Sequence, residues 1–360
     1  MATTTHGFKS LFTLFIVGLI LIHSGSIPEY LNAQSQGTAA NARIASSDQA
    51  GYSRVVLGPV SPPAPLLAPH VSGAGAGLTI IPTFNASIDA ATQTVINNAI
   101  AFYQNTFTDN ITVNIEFHNM SSGLGQSVFF VFTVPYTSYR TQLGAHATSA
   151  DDATALANTP SGSTNPVTGS SSIVVKSPNG RALGFNTAEQ PFGGACPTAS
   201  FTGSGCIGLN VTLANSLGVL TAVVEHEIDE VLGLGSTLHG TTTPADPWPE
   251  DLFRWASSGG GRSFAANTST THPCTSPTPQ SFFSIDGGTT DLNEFNNCNN
   301  GGDYGDWITH TPSQVQDAFT NGTGSSSLSV TSTEVRALDV IGYTIATVSS
   351  KHRRGQLISE

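Results

Sequence analysis

One run, LANSLGVLTAVVEHEIDEVLG from Leu213 to Gly233, constrains this chain more than any other. Leu217, Leu220, Val223 and Val224 recur at helical spacing, Val231 and Leu232 resume the pattern, and Gly233 is a natural C-terminal stop. Between the two apolar stretches stand five ionisable groups within six residues: Glu225, His226, Glu227, Asp229 and Glu230. A helix with ends this apolar packs into a core, where charges are costly unless something binds them. No Lys or Arg lies between Arg181 and Arg254, so no base nearby in sequence offsets the four carboxylates. A divalent cation would. The bland alternative is a surface helix whose acids, Glu225 and Asp229 among them, face water.

The spacing favours the cation. His226 and Glu230 are i and i+4 and project from one helix face, so both can ligate a single ion. Glu227 sits about 100° round the helix, where HExxH zinc hydrolases carry the base that takes a proton from the attacking water. Here the motif reads HEIDE, with Glu230 in the place of the second His. Carboxylate oxygen is an acceptable zinc ligand, and a catalytic site needs a third protein ligand. In HExxHxxGxxH enzymes that ligand lies ten residues after the first His, which here is Ser236 and a poor donor. His239, three residues on, is the leading candidate; Asp251 or Glu250 on the following segment is the alternative. His272 and His310 are weaker candidates. The only methionines are Met1 and Met120, so a Met-turn after the helix is excluded.

Composition bounds the rest. Only 10% of the 360 residues are charged, against about a quarter in average globular chains, with Gly, Ser, Thr and Asn filling the gap. A net charge of −12 and a pI near 5.1 disfavour nucleic acid as a partner. Residues 1–34 read as a secretory signal, with Lys9 ahead of a twelve-residue apolar run from Leu11 to Ile22. That run falls short of the ~20 residues of a membrane span, so a secreted, extracellular protein without stable membrane association is expected once the signal is cleaved, after Ser26 or Ala33. An uncleaved anchor is the alternative. Four cysteines suit that compartment: nearest-neighbour pairing gives Cys196–Cys206 and Cys274–Cys298, and no CxxC knuckle suggests metal ligation by Cys.

Residues 35–77, with SPPAPLLAP, read as a linker or pro-segment with little core of its own. From Leu78 the pattern becomes strand (LTIIPTF), helix (Asp89 to Thr106), strand (ITVNIEF) and strand (SVFFVFTV), then a short helix at Tyr139–Leu143. SSIVVKS at 171–177 could be an edge strand along which an extended peptide lies. PEDLFRWAS reads as a helix. VTSTEVRALDVIGY reads as a closing helix capped by Thr331 or Ser332, with Val335, Leu338 and Ile341 on one face, expected to pack beneath the His226 helix. Between them, Asp286, Asp291, Asp303 and Asp306 stand in a Gly- and Asn-dense stretch. Such oxygen-rich loops can hold Ca²⁺, but Asn, Asp and Gly more often serve turns. Residues 346–360 form a basic tail. Serine-hydrolase, P-loop and dinucleotide fingerprints are absent from the sequence.

Taken in order, HEIDEVLGLGSTL, PEDLFRWAS, FFSIDGGTTDLNEFN, GGDYGDW and VRALDVIGY resemble a set of predicted secreted bacterial zinc metalloproteases that carry HEI(S/D)EV(L/M)G in place of HExxH. The resemblance covers residues 78–345. It implies an α+β, zincin-like two-lobed domain with a mixed sheet, an active-site helix and a loop-rich C-terminal part. It implies a Zn²⁺-dependent endopeptidase acting on protein or peptide substrates, with His226 and Glu230 as ligands and Glu227 as base. The contrasting reading is a non-catalytic secreted or cell-surface binding protein on a degenerate zincin fold.

Overall fold

The computed structural model describes residues 42–48 (backbone only), 77–238, 246–256, 260–265, 274, 280–320 and 325–346. The signal residues 1–34 and the tail from 347 lie outside them, as does His239. Among the described residues no helix is long and apolar enough to cross a membrane.

The architecture mixes α and β structure and is compatible with the α+β class. Strand β1 (Ala42–Asp48) precedes β2 (Thr79–Phe84), α1 (Ala90–Thr106), β3 (Thr112–Asn119) and β4 (Gly125–Pro135). Helices α2 (Tyr136–His146) and α3 (Ala150–Ala157), strand β5 (Ser172–Lys176) and helix α4 (Ser177–Ala182) follow. Then come the short pair β6 (Gln190–Pro191) and β7 (Thr202–Gly203), and β8 (Gly205–Leu209). Helices α5 (Val211–Leu217) and α6 (Leu220–Leu232) lead to β9 (Arg254–Ala256), β10 (Ser281–Phe283), β11 (Asn293–Glu294) and α7 (Thr333–Val340).

The main sheet is mixed, ordered β1-β4-β8-β3-β2, with β5 also paired to β4. β2, β3 and β8 run parallel, and α1 makes the crossover from β2 to β3, its first turn capped by Asp89, which accepts from the Thr92 amide at 2.7 Å. β4 runs antiparallel to β8, β5 and β1. β4 is buried along nearly its whole length, as its run of Val, Phe and Thr requires of a strand covered on both faces.

Four expectations change. The run 213–233 is two helices, because Gly218 takes a left-handed φ of 68° and closes α5 before α6 begins. PEDLFRWAS is a one-turn 3₁₀ segment, Pro249–Phe253, after which Arg254 enters β9 to pair with β10. The segment assigned to a linker contributes β1. β5 also differs from a free edge: four of its five residues are buried and the Val174 amide donates to Pro247 O at 3.0 Å. Both disulfides pair nearest neighbours, Cys196–Cys206 and Cys274–Cys298. Helix α7 starts after Ser332, and its end meets α6: Tyr343 Oη donates to Leu232 O at 2.7 Å.

Candidate metal centre

Helix α6 lies against β4, and its central charges are all buried: His226, Glu227 and Asp229 are 0% exposed, Glu230 1% and Glu225 4%. The water-facing reading of Glu225 and Asp229 therefore fails. Tyr103 of α1 donates to both Asp229 Oδ1 (2.9 Å) and Glu225 O (2.8 Å), and the Leu328 amide donates to Glu225 Oε2 at 3.2 Å. Burial, with Glu334 nearby, pushes Glu225 up to about 7 and Asp229 well above the carboxylate range. The surroundings on this side of the helix favour the protonated form of both acids.

The other side gathers ligands. His226 Nε2 is 3.7 Å from Glu230 Oε1 and 3.7 Å from Asp306 Oδ1, and the donor atoms of the three residues all lie within 4.8 Å of one another. Donors about 2.1 Å from a tetrahedral zinc ion would sit ~3.4 Å apart, close to this spacing. Neither oxygen of Asp306 makes a hydrogen bond, although the residue is 1% exposed. Burial, with Asp303, Glu230 and Glu250 nearby, pushes Asp306 well above the carboxylate range. A bound divalent cation would displace that proton, and the resulting neutral imidazole and two carboxylates sum to about −2, the charge such a cation offsets. The residues fit a metal ion.

Outer partners fix these atoms. His226 Nδ1 lies 2.9 Å from Val315 O, the arrangement in which Nδ1–H donates to the carbonyl and Nε2 keeps its lone pair for a metal. Ser127 of β4 donates to Glu230 Oε2 at 2.6 Å, leaving Oε1 toward His226. Burial alone would raise Glu230, but contacts with a protonated His226, with Lys176 and with Ser127 outweigh it and bring it down to about 2; a metal ion would take the place of the His226 proton. Lys176, fully buried at the end of β5, donates to Glu230 O (2.6 Å) and to Leu234 O, and lies over the Phe129 ring at 3.7 Å. It caps the carbonyl end of α6 with a cation, where the helix dipole favours one.

Asp306 arrives from the GGDYGDW motif. A Cβ on Gly305 would lie 2.4 Å from Gly235 Cα, so glycine alone lets this loop seat on the turn after α6. Arg254 holds the loop from behind, donating to Tyr304 O (2.5 Å) and Asn297 Oδ1 (2.9 Å) and stacking 4.2 Å from the Phe295 ring centre. Glu250 and Asp251 stand apart from the ligand group. Glu250 accepts from the Gly235 amide, and Asp251 from Ser236 Oγ and from the amides of Thr237 (3.1 Å) and Trp248 (2.8 Å). They shape the turn on which Gly305 rests. Asp286 does turn work: it accepts from Ser284 Oγ, the Thr290 amide and Thr290 Oγ1. His310 pairs with Asp317 at 2.6 Å.

Glu227 faces the start of β4. A Cβ on Gly125 would lie 2.2 Å from Glu227 Oε1 and 2.8 Å from Val223 Cγ1, so any larger residue there would push this carboxylate out of its present position. The helix and the loop carrying Asp306 thus together form a metal-type triad, with a buried carboxylate one residue from the imidazole. Asp306 was visible in the sequence only as one acid of the Gly-rich stretch, and its pairing with His226 depends on tertiary closure. Comparison with protein-family models, curated proteins and solved structures gives no match to this chain.

Proposed function

We propose that this protein is a secreted zinc-dependent endopeptidase with a zincin-like site. The observation that carries the reading is the convergence of His226 Nε2, Glu230 Oε1 and Asp306 Oδ1, with the buried Glu227 next to His226 in sequence. The HEIDE spacing, the two disulfides and the apolar leader at Leu11–Ile22 agree with it.

In this reading His226, Glu230 and Asp306 hold the ion. Bound there, zinc supplies Lewis-acid polarisation of the scissile carbonyl and lowers the pKa of water toward ~7. The Glu227 carboxylate takes the proton of the attacking water and passes it to the leaving amine. Gly125 keeps that carboxylate seated by leaving no side chain in its place. Ser127 and Val315 O hold Glu230 and His226 in ligating orientation before any ion arrives. Two carboxylates in the ligand set leave the centre less positive than a two-histidine site, so modest turnover is expected.

The test pairs elemental analysis with hydrolysis of casein. Wild type should carry about one zinc per chain, as a single site of this kind requires, and His226→Ala should carry none. Glu227→Gln should retain the zinc and lose activity by about 10²–10⁴-fold. Full activity in Glu227→Gln would remove the assigned base. Zinc without any hydrolysis in wild type would favour a structural ion in a non-catalytic binding protein, the reading that complete burial of the site would then support.

A further inference from the structure

The sheet has one edge beside this site, and the chain itself occupies it. β4 uses one side for β8, over Gly125–Phe129, and for β5, over Val131–Pro135. Its other side carries β1, antiparallel, from Ala42 opposite Phe132 to Asp48 opposite Gln126. The end of β4 that β1 reaches last is the end that builds the site: Gly125 packs on Glu227, and Ser127 bonds Glu230. Ser47 pairs with Ser127 itself.

β1 differs from the other strands of the sheet in its connection. It is terminal in the strand order, whereas the next strand in sequence, β2, forms the opposite edge. The chain joining them, between Asp48 and Thr79, contains the Pro-rich SPPAPLLAP. Removing β1 would leave β4 paired to β8 and β5, so the sheet's internal ladders do not depend on it. An edge so vacated offers a row of backbone N–H and C=O groups to any extended chain of the same polarity.

We propose that Ala42–Asp48 is an intramolecular strap: it fills the β4 edge beside the metal centre and keeps out extended polypeptide segments, which bind that edge once the strap leaves. As a device regulating the site, this rests on the endopeptidase reading above. Cleavage between Asp48 and Leu78 or strand exchange would release it.

The test uses full-length protein, wild type and Ile44→Pro/Ala45→Pro. Adjacent strand residues direct their N–H groups to opposite sides, so one of the two prolines must remove a donor facing β4. Ile44→Val/Ala45→Ser, which keeps both donors, is the control. The probe is a fluorescein-labelled peptide of residues 40–50, ANARIASSDQA, with a scrambled version alongside. A strap seated about 99% of the time lowers the apparent affinity of a competing strand about 100-fold. The proline variant should therefore bind the probe about 100-fold more tightly than wild type or control, and its β4 amides should exchange faster with deuterium. Equal binding in all three proteins, or unchanged exchange across β4, would overturn the strap. So would failure of the proline variant to fold, since β1 would then be an integral strand. Neither readout needs hydrolysis. If the probe discriminates but no variant cleaves casein, the strap stands and the endopeptidase reading falls.

Discussion

The two sides of α6 solve one problem in opposite ways. Both bury carboxylates with no basic residue close in sequence. On the side of Glu225 and Asp229, a tyrosine hydroxyl and a backbone amide meet acids whose burial favours the protonated form. On the side of His226, Glu230 and Asp306, burial raises Asp306 as well, but a serine hydroxyl, a backbone carbonyl and a buried lysine hold the three groups in a converging arrangement that a proton alone would not require. A buried acid can be neutralised by protonation or by a cation. The partner atoms around it decide which.

The sharpest test of that contrast is one isosteric change made on each side. Asp306→Asn removes an anionic ligand oxygen whose neighbours donate it no hydrogen bond. Zinc affinity should fall by more than the about 10–100-fold typical of losing an outer partner, and zinc-dependent stabilisation should vanish with it. Asp229→Asn keeps a carbonyl oxygen for the Tyr103 hydroxyl. It should leave zinc content at the wild-type level and change stability by less than about 1.5 kcal/mol. If both variants lose zinc alike, the two sides are not distinct.

What the sequence reveals follows the same division between local and distant causes. His226 and Glu230 share a face because an α-helix repeats every 3.6 residues, a purely local rule. β2, α1, β3 and β4 are legible for the same reason, each showing its own period. Asp306 is not, because it reaches His226 only when Gly305 closes on Gly235 and Arg254 anchors the loop. The burial of Glu225 and Asp229 is equally hidden, since Tyr103 and Leu328 come from distant parts of the chain. PEDLF carries true helix-start signals, a proline and two acids in the first turn. It stops after one turn because β10 offers Arg254 a strand partner.

A smaller effect should follow from Ser127→Ala. Its hydroxyl donates to Glu230 Oε2 at 2.6 Å and fixes which oxygen turns to His226. Loss of that outer partner should weaken zinc binding by about 10–100-fold while leaving the fold and the zinc stoichiometry at saturation unchanged. Competition titration with a chromophoric chelator reads this directly. Unaltered affinity would show that β4 supports the helix without orienting the ligand.

The proton-bearing solution can be tested away from the ligands at Asp339 of α7. Its Oδ2 accepts from Ser149 Oγ at 2.6 Å, and Oδ1 has no hydrogen-bond partner. Burial raises its pKa from 3.8 to about 7, outweighing the Ser149 bond, with Asp152, Asp151 and Asp109 adding to the rise. Between those two values the folded chain holds a proton that the unfolded chain has released. Stability from this group therefore falls as pH rises from about 4 to about 7, by at most about 1.4 kcal/mol per pH unit, and stays low above that window. Asp339→Asn has no proton to lose, so its own contribution is flat. Thermal melts from pH 4 to 8 should show the variant matching wild type at the acid end and gaining on it toward pH 7. Melting curves that run parallel across that range would mean Asp339 is charged in the fold, and that burial on this helix is offset by neighbours rather than by a proton.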